Sequence, residues 1–134
     1  MEIKQAGAVS DAEINVLRKA VALDFTQGAY DISLPKAYTY FTARENGELV
    51  GYVSIISDGV ADAFLVDLIV HPGWQRKNIG KKLVHCAGKF VKSKGIQCLQ
   101  VTFNPENEAF YKSCGFHIFK GGIMDFKTMP IVFD

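Results

Sequence analysis

Residues 68–83, Leu68-Ile-Val-His-Pro-Gly-Trp-Gln-Arg-Lys-Asn-Ile-Gly-Lys-Lys-Leu83, run from an apolar stretch through a short polar turn into a helical pattern. The stretch leading into it, residues 63–70 (AFLVDLIV), is apolar throughout except for Asp67, which predicts a central strand covered on both faces. Beyond the turn, Ile79, Leu83, Ala87, Phe90 and Val91 form one stripe, so a helix is expected over about residues 79–94 with Gly95 at its C-terminal cap. Such a turn aims several unpaired backbone N–H groups, backed by the helix dipole, at one spot. Phosphate or pyrophosphate oxygens suit that spot, and the missing Cβ of Gly80 lets a ligand approach the backbone. The frame is not that of a P-loop, and no G-x-G-x-x-G is present.

Working outward, Ser10-Asp-Ala-Glu13 is a capping-box pattern, and Ile14, Leu17 and Val21 follow at helical spacing. Residues 24–37 hold Gly28 and Pro35 among scattered aromatics and read as a loop or broken short helix, either a wall of a binding site or a plain connector. Residues 38–43 and 48–57 are strand-like and are separated by Arg44-Glu45-Asn46-Gly47, a hairpin signal because Asn and Gly both tolerate positive φ. Toward the C-terminus the expected elements are a strand at residues 97–103, a short helix at about 107–113 closed by Gly115, and two closing strands around Gly121-Gly122. A helix joins the strands at 63–70 and 97–103, so these should run parallel. The whole is a mixed α/β sheet.

Length and charge narrow the possibilities. The chain has 134 residues, which suits a single domain over residues 1–134, since domains commonly run to about 100–150 residues. Fifteen Lys plus Arg against fourteen Asp plus Glu leave a net charge of +1, too little overall field to grip nucleic acid or an anionic membrane. The lysines at 81, 82, 89, 92 and 94 are read as a solvated helix face. No apolar run approaches the roughly 18 residues needed to span a bilayer, and no signal-peptide stretch opens the chain, so a cytoplasmic location is expected. Cys86, Cys98 and Cys114 form no C-x-x-C pair and do not cluster with the histidines. They are read as small buried thiols, and no metal site is expected.

VHPGWQRKNIGKKL resembles motif A of the GCN5-related N-acetyltransferases, Gln/Arg-x-x-Gly-x-Gly/Ala, here Gln75-Arg76-Lys77-Asn78-Ile79-Gly80. Downstream, Asn104-Pro-Glu-Asn-Glu-Ala-Phe-Tyr111-Lys-Ser-Cys-Gly115-Phe116 resembles the family's motif B. The two occur in the family's order, and the resemblance covers roughly residues 1–130. It implies a mixed, centrally splayed β-sheet flanked by helices, with the splay between the strands at 64–70 and 97–103. The family usually has Gly where this chain has Asn78, and Asn is the non-glycine residue that visits positive φ most readily.

The resemblance implies acetyl transfer from acetyl-CoA to a primary amine of a small molecule or peptide by direct attack on the thioester, with no metal. The backbone groups of Leu68 and Val70 would meet the thioester and pantetheine arm, the Leu68 N–H polarising the carbonyl. The N–H groups of Gln75, Arg76, Lys77, Asn78, Ile79 and Gly80, with Lys81, would hold the pyrophosphate. Asn104 would contact the arm, or else simply form the turn before Pro105. Tyr111 matches the family's general acid, and packing beside Phe110 and Phe116 is the alternative. Asp67 is the one carboxylate on the motif A strand, either a general base or a structural hydrogen-bonding group. The family's acid sits one residue earlier, at Val66, and an offset of one turns a strand side chain to the other face. The acceptor's walls are expected at residues 24–40 and 117–130, with Asp24, Asp31 and Asp125 as candidate partners of an ammonium group. An alternative from another class is an acyl-CoA-binding sensor or interaction module with the same fold and no turnover. Monomer and homodimer are both open.

Overall fold

The computed structural model describes residues 1–133. The chain divides into two compact units, Met1–Val101 and the remainder from Thr102.

The first unit carries five strands and three helices: β1 (Glu2–Gln5), α1 (Asp11–Ala20), α2 (Ala29–Ser33), β2 (Thr39–Glu45), β3 (Glu48–Ser57), β4 (Asp62–Val70), α3 (Ile79–Ser93) and β5 (Cys98–Gln100). The strands lie in the order β1-β2-β3-β4-β5. The first four pair antiparallel and β4 pairs parallel with β5. Strand β1 is an addition to the elements anticipated above. The capping box forms as expected, the Glu13 N–H donating to Ser10 Oγ and the Ser10 N–H to Glu13 Oε1, each at 3.1 Å. The β2–β3 turn places Asn46 and Gly47 at φ 50° and 81°. Residues 24–37 resolve as an irregular loop, the short α2 and a 3₁₀ turn at Leu34–Lys36.

Alternation along β3 divides the core into two layers, because adjacent strand residues face opposite sides. Tyr52 packs with Ile14 and Leu17 of α1, Tyr30 of α2, Leu49 and Ile69. Gly51 faces α3: a Cβ there would meet Leu83 Cδ1 at 3.0 Å and Ile79 Cγ2 at 3.2 Å. The absence of that side chain lets the start of α3 sit against the sheet.

Strands β4 and β5 pair only from Asp62↔Cys98 to Phe64↔Gln100. Residues 65–70 run on with no partner on that side among the described residues. This is the anticipated splay, and β5 is correspondingly shorter than the 97–103 read from the sequence. Cys98 is exposed, contrary to the buried thiol expected of it, because it opens an edge strand; Cys86 and Cys114 are half-buried.

The second unit holds a 3₁₀ turn at Pro105–Asn107 and α4 (Glu108–Ser113). Gly115 at φ 103° ends the helix, and the Phe116 N–H returns to the Tyr111 carbonyl at 3.1 Å. The two closing strands expected around Gly121-Gly122 do not form among the described residues. Local bonds replace a ladder there: the Asp125 carboxylate accepts from the Lys127 N–H at 3.0 Å and the Asp125 carbonyl from the Met129 N–H at 2.9 Å. An Asp that captures its own following backbone favours a turn over a strand.

Candidate active site

Strand β4 changes register in its middle. Tyr52 pairs with Ile69 and Ser54 with Val66, so Asp67 and Leu68 share the space opposite Val53. An extra residue of this kind bends the strand and leaves backbone groups outside the ladder. Asp67 makes the bend with φ 54°, a left-handed conformation that costs about 1–2 kcal/mol for an ordinary residue and less for Asp or Asn. Leu68 follows, half-buried, and Val70 closes the strand opposite Gly51.

The bulge overturns the expected orientation of Asp67. A one-residue offset from Val66 should have turned its side chain to the other face, but the inserted residue breaks the alternation. Asp67 reaches the face covered by α1 and α2. Its Oδ1 accepts from Arg18 Nη1 at 3.1 Å and its Oδ2 from the Tyr30 hydroxyl at 2.9 Å. Arg18 also donates from Nη1 to the Tyr30 oxygen at 3.2 Å and from Nε to the Asp24 carbonyl at 2.6 Å. Burial, reinforced by the Asp67 charge, pushes the Tyr30 hydroxyl up to about 12, so it stays protonated and donates. Arg18 and Tyr30 escaped the sequence reading because they lie 49 and 37 residues from Asp67, and neither stands in a motif.

Arg18 is one of three side chains on α1 that bind the backbone of residues 24–30. At Asp11, Oδ2 accepts from the Gly28 N–H at 2.8 Å and Oδ1 from the Tyr30 N–H at 2.9 Å. Asn15 donates to the Thr26 carbonyl at 3.5 Å. Positions 11, 15 and 18 share one helix face by their spacing. The irregular segment is therefore held from α1 along its length.

The α3 approach is built from local contacts. A 3₁₀ turn spans Pro72–Trp74, with the Gly73 N–H donating to His71 Nδ1 at 3.0 Å and Gln75 Nε2 donating to the Val70 carbonyl at 3.0 Å. The Lys77 ammonium lies 4.6 Å from the centre of the Trp74 ring. Arg76 and Asn78 both take positive φ, 64° and 62°, so Asn78 occupies the left-handed region that its residue type allows. It serves as N-cap without a side-chain bond. The first bond closing the helix runs from the Lys82 N–H to the Asn78 carbonyl at 3.0 Å. The N–H groups of Ile79, Gly80 and Lys81 consequently have no acceptor inside the helix. Gly80 adds no side chain over them, and Arg76, Lys77 and Asn78 are exposed. Donors, dipole and cations gathered here fit an anionic group. Asp31 is exposed and Asp24 is engaged. Among the described residues no cluster of His, Cys, Asp or Glu could hold a metal ion, and no helix is long and apolar enough to cross a membrane.

In the second unit Asn104 is an exposed N-cap of the 3₁₀ turn, making no side-chain cap bond. Tyr111 is buried. Its ring stacks on Phe103 at 4.8 Å and meets Phe110 and Phe116 edge-on at 5.1 and 5.7 Å. Burial raises its hydroxyl above the ordinary phenol value. Packing and proton donation are compatible here, since the ring supplies the first and a protonated hydroxyl the second. Asp125 belongs to this unit and is used by its own turn.

A model of the Acetyltransferase (GNAT) family matches residues 13–116. The chain belongs to this family. It is 35% identical over 71 residues to GCN5-related N-acetyltransferase 3, chloroplastic, of Arabidopsis thaliana, a match covering 53% of this chain and 30% of that protein. Among solved structures it resembles a GNAT-family acetyltransferase from Streptococcus pneumoniae, with 27% identity, a TM-score of 0.79, and coverage of 92% and 96% of the two chains. A protein of unknown function from methicillin-resistant Staphylococcus aureus, described as a probable acetyltransferase, shares the fold at 20% identity and a TM-score of 0.83, over 92% and 98% of the chains. The matched stretches span 30% to 57% of the length of the curated relatives.

Proposed function

We propose that this protein is an acetyl-CoA-dependent N-acetyltransferase, one domain over residues 1–134, acting on a primary amine of a small molecule or peptide. The observation that carries the reading is the edge of β4 left without a partner among the described residues at the Asp67–Leu68 bulge, followed eleven residues later by the first turn of α3, whose N-cap Asn78 makes no side-chain bond to it. Acetyl-CoA supplies the activated acyl group when bound. The backbone of Gln75 to Gly80, with Lys81, holds the pyrophosphate, and Leu68 and Val70 offer backbone groups to the arm. The Leu68 N–H polarises the thioester carbonyl as the amine attacks, stabilising the negative charge that develops on oxygen. Asn104 contacts the arm. The amine attacks in its neutral form, and Tyr111 donates its proton to the departing sulfur, a thiol with an ordinary pKa of about 8.5. The proton that the nitrogen sheds on becoming an amide passes to water, and Tyr111 regains its own from water. Asp67, with both oxygens engaged by Arg18 and Tyr30, holds structure rather than removing the amine's proton.

That engagement also favours a second reading, an acyl-CoA-binding module without turnover. Calorimetric titration with acetyl-CoA, run beside a panel of amines assayed for thiol release, separates the two. The transferase reading expects binding and release with at least one amine; binding without release supports the module; no binding at millimolar acetyl-CoA removes both. On a confirmed acceptor, Tyr111→Phe should lower kcat roughly 10- to 1000-fold, least at high pH, while leaving acetyl-CoA affinity nearly intact. A change below about threefold from pH 6 to 9 would confine Tyr111 to packing.

A further inference from the structure

The bulge that presents Leu68 depends on a non-glycine residue held at positive φ, and that residue is tied down from outside its own strand. Asp67 is the left-handed residue, and both of its carboxylate oxygens are occupied, one by Arg18 and one by Tyr30. Arg18 meets, in addition, the Tyr30 hydroxyl and the Asp24 carbonyl. One guanidinium therefore spans three elements: the bulge of β4, the start of α2 and the irregular segment after α1. Its side chain is 21% exposed against 36% for Asp67, so the pair is partly withdrawn from solvent. A planar group with five fixed donors suits such a three-way junction, whereas an ammonium on a flexible stem does not.

We propose that Arg18 is a positioning residue for acetyl transfer, acting through Asp67 to hold the β4 bulge in the conformation that presents the Leu68 N–H. The proposal rests on the transferase reading of the site and adds to it a residue outside both motifs. Arg18 itself touches neither acyl donor nor acceptor. Its effect is transmitted by the carboxylate: with the side chain of Asp67 anchored, its backbone stays left-handed and the Leu68 peptide stays out of the ladder. Tyr30 shares the anchoring by donating to the second oxygen. A misplacement of about 1 Å in a catalytic donor can cost on the order of 100-fold in rate, which sets the scale of the expected loss.

The test compares wild type, Arg18→Met, Asp67→Gly and the double variant. Each is measured for kcat on the acceptor found by the amine screen, acetyl-CoA affinity by calorimetry, Tm, and the Leu68 amide signal in NMR spectra of the free protein. Arg18→Met should lower kcat about 10- to 100-fold with acetyl-CoA affinity changed less than about threefold. Its Leu68 amide should shift and broaden. Glycine carries no side chain for Arg18 to hold, so in the Asp67→Gly background the same change should lower kcat by less than about threefold. An equal loss in both backgrounds overturns the proposal, because Arg18 would then act independently of Asp67. An unchanged kcat and Leu68 signal in Arg18→Met overturns it as well, as does a raised acceptor KM with kcat intact, which would make Arg18 an acceptor-binding group. If the wild type binds no acetyl-CoA, the transferase reading has failed, whereas the Leu68 signal in the free protein still reports whether Arg18 holds the bulge.

Discussion

The sheet slips register twice, and at each slip α1 supplies one half of an ion pair. Between β3 and β4 the extra residue lies on β4, and Arg18 of α1 holds Asp67. Between β2 and β3 the slip falls at Ala43/Arg44, with Val50 the extra residue, and Glu13 of α1 holds Arg44. The second pair is bidentate, Arg44 Nη1 to Glu13 Oε2 at 2.6 Å and Nη2 to Oε1 at 3.0 Å, and Arg44 also donates to the carbonyls of Gly47 and Ala8. The two arginines are equally exposed, at 21%. What separates the sites is the backbone. Asp67 is left-handed, while Ala43, Arg44 and Val50 are not among the residues with positive φ. The pair at β2 ties a helix to a relaxed strand; the pair at β4 holds a strained one beside an open edge. Similar ion pairs thus rest on backbones of unequal strain, and on the proposal above only the pair at β4 bears on the chemistry.

The contrast should break most sharply at Asp67 itself. In Asp67→Val a β-branched residue would have to sit at positive φ, and Arg18 would lose its carboxylate partner while keeping its bonds to Tyr30 and Asp24. Stability should fall by about 2–4 kcal/mol in urea unfolding, and kcat by about 100-fold or more. Arg44→Met probes the other side. It should cost about 1–3 kcal/mol by the same unfolding measurement while leaving kcat of the folded protein within about twofold. A comparable kcat loss in Arg44→Met would mean that the second slip also shapes the site.

Acid should weaken the pair at the β2–β3 slip. The hydrogen bond from Arg44 holds the Glu13 carboxyl below its ordinary value of 4.5. The unfolded state therefore binds more protons in that range, and stability rises with pH there. The contribution of Glu13 is fully present above the ordinary carboxylate value and is lost as pH falls through the lowered folded value. Urea unfolding between about pH 5 and 3 should show wild type losing stability that Arg44→Met has already lost, so the two curves converge. The smallest effect is expected at Asn78, which is left-handed like Asp67 but makes no side-chain cap bond. Asn78→Gly should change stability by less than about 0.5 kcal/mol and acetyl-CoA affinity by less than about threefold, because glycine accepts the same φ freely. A larger loss would show that the Asn78 side chain contributes directly.

Much of this was legible in the sequence because it depends on neighbours along the chain. The capping box at Ser10 and Glu13, the Asn46-Gly47 hairpin and the stripe of α3 are local patterns, and each appears where its spacing puts it. The left-handed Asn78 was readable for the same reason, since residue type alone decides how easily positive φ is reached. The closing segment misled because its apolar residues fit a strand pattern, whereas Asp125 turns the chain through bonds to its own neighbours.

Residue types and spacing determined on their own the parallel pairing of β4 with β5 and a helix start at α3 that suits an anion. The family was readable through the resemblance of two motifs and is shown by the match over residues 13–116. Only the tertiary structure decided what Asp67 meets. Alternation along an ideal strand would have sent its side chain to the other face, and one inserted residue reversed that. The side chains that meet it come from α1 and α2, 49 and 37 residues away. No periodicity records such a meeting, because it arises from how a helix packs across a bent strand rather than from the order of residues along the chain.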